Sequence, residues 1–240
     1  MLFMIPNIVA SIAGLPKSGK NHFACSSPDP IKIYCFNGGA DYVAKKFPDK
    51  TIDVHNFVLP IIESDQERWA LPVWDEFYAE YNKDIEAGEY QTYVLDTGTE
   101  VENFCRQATL EELQDVAEAN NRNKKKLATN EYLARNLRMN ALFARARNSG
   151  ANLITLQYLK DEWVKERGAD RAEPTGKLIL DGWNQTEAQA DVNVELSVKE
   201  KAGKSVTLAR IKSNRFEREM NGQVLEDPEW DDLVALLIGE

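Results

Sequence analysis

The sequence predicts an α/β fold with a mainly parallel central sheet flanked by helices and a C-terminal antiparallel hairpin. Three observations predict it. Short apolar, β-branched runs alternate with stretches of helical periodicity, the pattern of strands joined by crossover helices. The first run opens directly onto a glycine-bounded loop containing lysines, and a helical stretch follows. The last third alternates apolar and polar residues on both sides of Glu200-Lys201-Ala202-Gly203-Lys204, which reads as a hairpin.

In chain order, Ile8 to Ala13 is a buried strand. Gly14 breaks it, and a helix runs on from Gly19 through Cys25. Ile31 to Phe36 is a second strand with Asn37-Gly38-Gly39 as its turn, and residues 51–58 are a third. Pro72 opens a helix whose Trp74, Phe77, Tyr78 and Tyr81 follow the i, i+3, i+4, i+7 spacing of a core-facing stripe. Thr92 to Asp96 is an apolar strand ending in a carboxylate. Thr99 and Glu102 make a capping-box pattern ahead of a helix face of Val101, Phe104, Cys105 and Ala108. Residues 129–147 form a second long helix stopped by Asn148-Ser149-Gly150, and Ala151 to Gln157 is a further strand. Residues 158–177 are polar, with Gly168, Pro174 and Gly176, and read as a long loop of the kind that is usually functional or mobile. Val192 to Val198 and Ser205 to Lys212 are the arms of the hairpin. Asp227 caps a terminal helix with Pro228 at its first position and Trp230, Leu233, Val234 and Leu237 on its buried face. The simplest organisation is one domain over 1–240, with 190–226 as an antiparallel extension and 227–240 as the terminal helix.

At 240 residues, 43% hydrophobic and 28% charged, the chain has the composition of a soluble globular protein with a real core. No stretch is long enough to span a membrane. The apolar start lacks a basic n-region and runs straight into the loop, unlike a signal peptide. Cys25, Cys35 and Cys105 are odd in number and widely spaced, in a chain with two histidines, which points to reduced thiols in a cytoplasm and no zinc site. A formal net charge of −10 excludes a bulk polyanion binder, so any nucleic-acid contact needs a local basic patch.

The loop carries the most specific chemistry. Gly14-Leu15-Pro16-Lys17-Ser18-Gly19-Lys20-Asn21 has the Gly, four free residues, Gly and Lys of a phosphate-binding loop, with Asn21 where Ser or Thr is expected. In such a loop, continuing to His22, backbone N–H groups and a helix N-terminus face the phosphate oxygens, and the lysine reaches the β/γ oxygens. The implied ligand is ATP with Mg²⁺. Asp96 follows a strand, where P-loop proteins place a carboxylate that holds Mg²⁺ through water, or else a helix cap. An Asn21 amide is not a hydroxyl and alters the octahedral geometry that Mg²⁺ demands, so Mg²⁺ coordination by Asn21 and Asp96 is expected to be weakened with nucleotide binding retained.

This order of elements resembles the phage-encoded RecA-like P-loop ATPases, the AAA-type group that includes Sak-type single-strand annealing proteins. The resemblance runs from Ile8 to Gly239. It rests on Gly14 to Asn21, Phe36-Asn37-Gly38-Gly39, Tyr93 to Thr97, Thr155-Leu156-Gln157 and Lys212-Ser213-Asn214-Arg215. It implies a water-orienting Glu where this chain has Asn37, and an Asp where it has Cys35; an amide can position water but cannot take its proton. Glu100 is either a substitute carboxylate or an exposed first-turn residue. By resemblance Gln157 senses the γ-phosphate and couples it to 158–177, or it is simply a polar strand end. Lys20, Asp96, Asn37 and Gln157 are then the catalytic candidates. Lys212 and Arg215 resemble cations presented to a neighbour's nucleotide, which implies a homo-oligomer.

Residues 120–148 carry Arg122, Lys124, Lys125, Lys126, Arg135, Arg138, Arg145 and Arg147 against one acid, Glu131. This is either a solvated basic surface or, as the resemblance implies together with the loop at 158–177 and its Trp163, a single-stranded DNA site of salt-sensitive affinity. The leading expectation is an ATP-binding protein of recombination or annealing in a phage-infected or lysogenic cytoplasm, with an annealing or single-strand-binding protein as a partner. Asn21 and Asn37 keep open a pseudo-ATPase acting as an assembly module. A nucleotide kinase is a third reading, disfavoured by the terminal hairpin.

Overall fold

The computed structural model describes residues 7–61, 68–165 and 171–239. Its strands are β1 (Val9–Gly14), β2 (Ile31–Cys35), β3 (Ile52–Asn56), β4 (Thr92–Asp96), β5 (Asn152–Val164), β6 (Glu173–Asp181), β7 (Val192–Lys201), β8 (Lys204–Asn214) and β9 (Val224–Glu226). They form one sheet in the order β3-β2-β4-β5-β1-β7-β8-β9, with β6 paired to β5. Every neighbouring pair from β3 to β7 is parallel, while β8 and β9 are antiparallel. The first arm of the expected hairpin is thus itself the sixth parallel strand. Its turn places Ala202 and Gly203 at φ 51° and 76°, the left-handed pair that matches hairpin twist.

The helices are α1 (Lys20–Cys25), α2 (Ala40–Ala44), α3 (Ala70–Ala87), α4 (Gly98–Ala119), α5 (Tyr132–Ser149), α6 (Thr186–Gln189) and α7 (Trp230–Ile238). Strand periodicity divides the core into two layers. Tyr34, Tyr93, Leu95 and Leu153 face α3, α4 and α5, meeting Trp74, Phe77, Tyr81, Phe104 and Phe143. Ile33, Val94, Ile154, Leu156 and Val194 face the other way, against Phe23 of α1 and Trp230, Leu233 and Leu237 of α7. The aromatic stripe of α3 is core, as its spacing predicts, and each fully buried large side chain there contributes about 1.5–3 kcal/mol.

Three local expectations about helix starts are corrected. Helix α3 begins two residues before Pro72, which sits in the first turn where its missing N–H is not needed. The cap of α4 is Thr97, whose hydroxyl accepts from Glu100 N at 3.2 Å; Thr99 instead donates to Asp181 O at 2.6 Å. Helix α7 is capped by Glu229, while Asp227, at φ 45°, accepts from Thr207 N at 2.7 Å.

The largest correction concerns 158–177. Strand β5 continues to Val164 and β6 returns antiparallel to it from Glu173, so the segment is a β-ribbon. The centre of the expected loop, 166–170, lies outside the described residues. A ribbon exposed on both faces has no need of apolar alternation, so charged residues such as Lys160, Asp161 and Glu162 conceal it in the sequence. Among the described residues no helix is long and apolar enough to cross a membrane.

Candidate nucleotide site

The loop leaves β1 between its two strand neighbours, at the C-terminal edge of the parallel sheet, where open α/β folds place ligands. Gly19 is at φ 92°, open to glycine and strained for other residues, and passes directly into α1. A Cβ on Gly14 would press on Ser18 Oγ and lie 2.7 Å from Leu196 O, so β7 closes against the loop's first residue. The first backbone bond of α1 is Phe23 N to Gly19 O at 3.0 Å, which leaves the preceding amides facing out of the helix end. Pro16 to His22 line a cleft of about 610 Å³ together with Asn37, Asp96 and Tyr158. A glycine-bounded loop with unpaired helix-end amides and a lysine beside them fits nucleotide phosphates.

Lys20 is buried, and its Nζ donates to Gly14 O at 2.8 Å and Leu15 O at 2.9 Å. Burial lowers its pKa to about 8, against the opposing pull of the Asp96 charge. Asp96 is 1% exposed, at the end of β4. Burial raises its pKa, opposed by hydrogen bonds from Asn21, Cys35 and Asn37 and by the Lys20 charge. The Asn21 amide donates to Asp96 Oδ2 at 3.0 Å, and the Asn37 amide to Asp96 Oδ1 at 3.4 Å. Gly39 N in turn donates to Asn37 Oδ1 at 3.2 Å. The structure therefore brings Lys20, Asn21, Asn37 and Asp96 together from three segments of the chain.

Gln157 is not brought to the loop. It lies mid-strand, paired with Ala13 in register, and its Oε1 accepts from the Ser11 hydroxyl at 2.8 Å while its Nε2 reaches Thr186 Oγ1 at 3.3 Å. Strand alternation sends it to the face opposite α1. The next residue, Tyr158, which is not among the candidates from sequence, takes the cleft side: its ring lies 4.9 Å from Lys20 Nζ and its hydroxyl 3.4 Å from Asn37 Nδ2. Its parity with Ile154 and Leu156, which face α1, is the signal that finds it.

The remaining candidates are held within the chain. Lys212 pairs with Glu195 at 3.1 Å. Arg215 pairs with Asp191 at 3.1 Å, beside the start of β1 and away from the loop. Arg135 is bound to Glu102 at 2.8 Å and lies over Tyr132; Arg138 is bound to Glu112 at 2.6 Å and lies over Trp74. Both are used in seating α5 on α3 and α4. Lys124 pairs with Glu131 at 2.7 Å, while Arg122, Lys125 and Lys126 are exposed. The basic patch is narrower than composition implies, because Lys124, Arg135 and Arg138 face partners that are remote or unremarkable in sequence.

A family model described as an AAA domain matches residues 7–218. No curated protein matches the chain in sequence. Among solved structures, a KaiC-like protein from the hyperthermophilic archaeon Pyrococcus horikoshii is similar in fold, with a TM-score of 0.50 and 13% identity over 92% of this chain and 85% of that one. The RecA-like α/β architecture expected from the sequence is the one found.

Proposed function

Because the chain belongs to the AAA-domain family, matched over residues 7–218, we propose that it binds ATP on Gly14 to His22 and acts on single-stranded DNA in recombination or annealing, as a phage-encoded protein of the Sak type. The observation that carries the ATP reading is the meeting of Lys20 and Asp96 in one cleft, behind a glycine-bounded loop. Bound ATP supplies the phosphoryl group. Lys20 neutralises phosphate charge and Asn37 orients polar groups beside Asp96. The DNA part rests on the resemblance, on exposed Arg122, Lys125 and Lys126, and on the ribbon, whose Trp163 is 59% exposed and free to stack on a base. A homo-oligomer, with Lys212 and Arg215 reaching a neighbour's nucleotide, belongs to the same proposal, as does an annealing or single-strand-binding partner.

A second reading, a nucleotide-stabilised assembly module with little turnover, is favoured by one observation: amides stand at both positions beside Asp96 where hydrolysis wants a hydroxyl and a carboxylate. ATP turnover with and without single-stranded DNA, beside equilibrium nucleotide binding, separates the two. DNA-stimulated hydrolysis supports the first, and binding with negligible turnover supports the second. Absence of nucleotide binding overturns both.

A further inference from the structure

Asp96 is the one acid among the described residues lining the cleft, and its two oxygens already face amide donors. The orientation of each amide is fixed by its partners. Turning Asn21 over would set its Oδ1 against Asp96 Oδ2 across the present 3.0 Å contact, oxygen against oxygen. Turning Asn37 over would lose the Gly39 N–H, 3.2 Å from Oδ1, and oppose a second pair of oxygens. The Cys35 thiol points at the same carboxylate from 3.6 Å.

Magnesium requires a near-octahedral shell of oxygen ligands at about 2.0–2.1 Å. Beside Asp96 the chain presents amide N–H groups and a thiol. The donor set that a Ser or Thr hydroxyl would complete is absent at Asn21, and admitting the ion means breaking the partly buried Asn21–Asp96 bond. The residues fit the phosphates and do not fit the metal.

We infer that this chain binds a nucleoside triphosphate as the metal-free anion, and that the Asn21 carboxamide takes over the local task of a cation by hydrogen-bonding the Asp96 carboxylate. Charge opposite the phosphates then comes from Lys20 and the loop amides. The inference rests on the nucleotide-binding reading above, and its failure is separable from that one.

The test is equilibrium binding of ATP to the full chain by titration calorimetry, once with excess magnesium chloride and once with EDTA. The affinity of the natural chain is expected to agree within about threefold between the two buffers. Asn21→Thr, and the smaller Asn21→Ser as a second variant, are expected to bind at least about tenfold more tightly with magnesium than with EDTA. A loss beyond about threefold for the natural chain in EDTA overturns the inference while leaving nucleotide binding intact. No binding in either buffer overturns the nucleotide reading and the inference with it. The comparison in the natural chain is decisive by itself if neither variant folds.

Discussion

The Tyr158 ring lies 4.9 Å from Lys20 Nζ, so the loop lysine is held between two backbone carbonyls and an aromatic face. A cation–π contact of this kind is worth about 0.5–2 kcal/mol, and it keeps the ammonium charged in a buried place. Tyr158 is also the residue at which β5 leaves the parallel sheet for the ribbon, its N–H bonded to Thr99 Oγ1 at 3.1 Å.

Replacing Tyr158 separates its two ends. Tyr158→Phe keeps the ring over Lys20 and loses only the 3.4 Å contact with Asn37, so ATP affinity should change by less than about threefold. Tyr158→Ala removes the ring and should weaken ATP binding by about three- to thirtyfold. Titration with a fluorescent ATP analogue reads both, and equal affinities for the two variants would remove Tyr158 from the site.

The pH dependence of binding follows from Lys20. Its pKa, lowered by burial to about 8, lies below the ordinary lysine value of 10.5. Below pH 8 the lysine is an ammonium in the free protein and available to phosphate. As pH rises through 8 it loses its proton, and ATP affinity should fall, approaching tenfold per pH unit. The sign for folding is opposite. Burying the charge costs stability below pH 8, and this cost is relieved as pH rises from about 8 towards 10.5. Lys20→Ala should flatten the binding profile and lower the affinity throughout.

Arg135 and Glu102 pair at 2.8 Å with both side chains largely buried, so this arginine is a fold element before it is anything else. Glu102→Ala leaves it without its carboxylate and should cost about 3 kcal/mol in chemical denaturation. The joint replacement of Lys125 and Lys126 by Ala touches exposed side chains, and stability should move by no more than about 0.5 kcal/mol. If single-stranded DNA binds along this segment, the same double variant weakens it and flattens its salt dependence by about two phosphate contacts. Unchanged DNA affinity would remove the segment from the proposal.

Gly14→Ala tests the closure of β7 on the loop. Its Cβ would press on Leu196 O, a backbone atom that cannot rotate away, at 2.7 Å. The variant should lose about 1–3 kcal/mol in thermal or denaturant unfolding and bind ATP more weakly, because the strand and the loop must part.

Much of this was legible before any coordinates. The phosphate loop, the strand ahead of it, Asp96 at the end of β4 and the aromatic stripe of α3 are each written within a few consecutive residues. A strand or helix face shows itself through local periodicity. The ribbon at Tyr158 to Asp181 was hidden because neither of its faces is uniformly buried, and burial is what periodicity reports. Thr97 displaced Thr99 as the cap of α4 for a different reason: Thr99 is claimed by Asp181, a residue 82 positions away.

Taken alone, the sequence determined that this chain has a phosphate-cradling loop with an amide at its last position, set in a mainly parallel sheet. The tertiary structure decided what that amide does. Asn21, Asn37 and Asp96 lie on three separate elements, and only their convergence turns two unusual letters into a pair of hydrogen bonds on one carboxylate. It likewise chose Tyr158 over Gln157, since which side of β5 meets α1 depends on pairing with β1 and β4. It also bound Arg135 and Arg138 to Glu102 and Glu112. The physical reason is common to all three: composition and spacing fix which residues want to be buried or charged, but a side chain's partner is set by chain crossings that bring distant segments within hydrogen-bond reach.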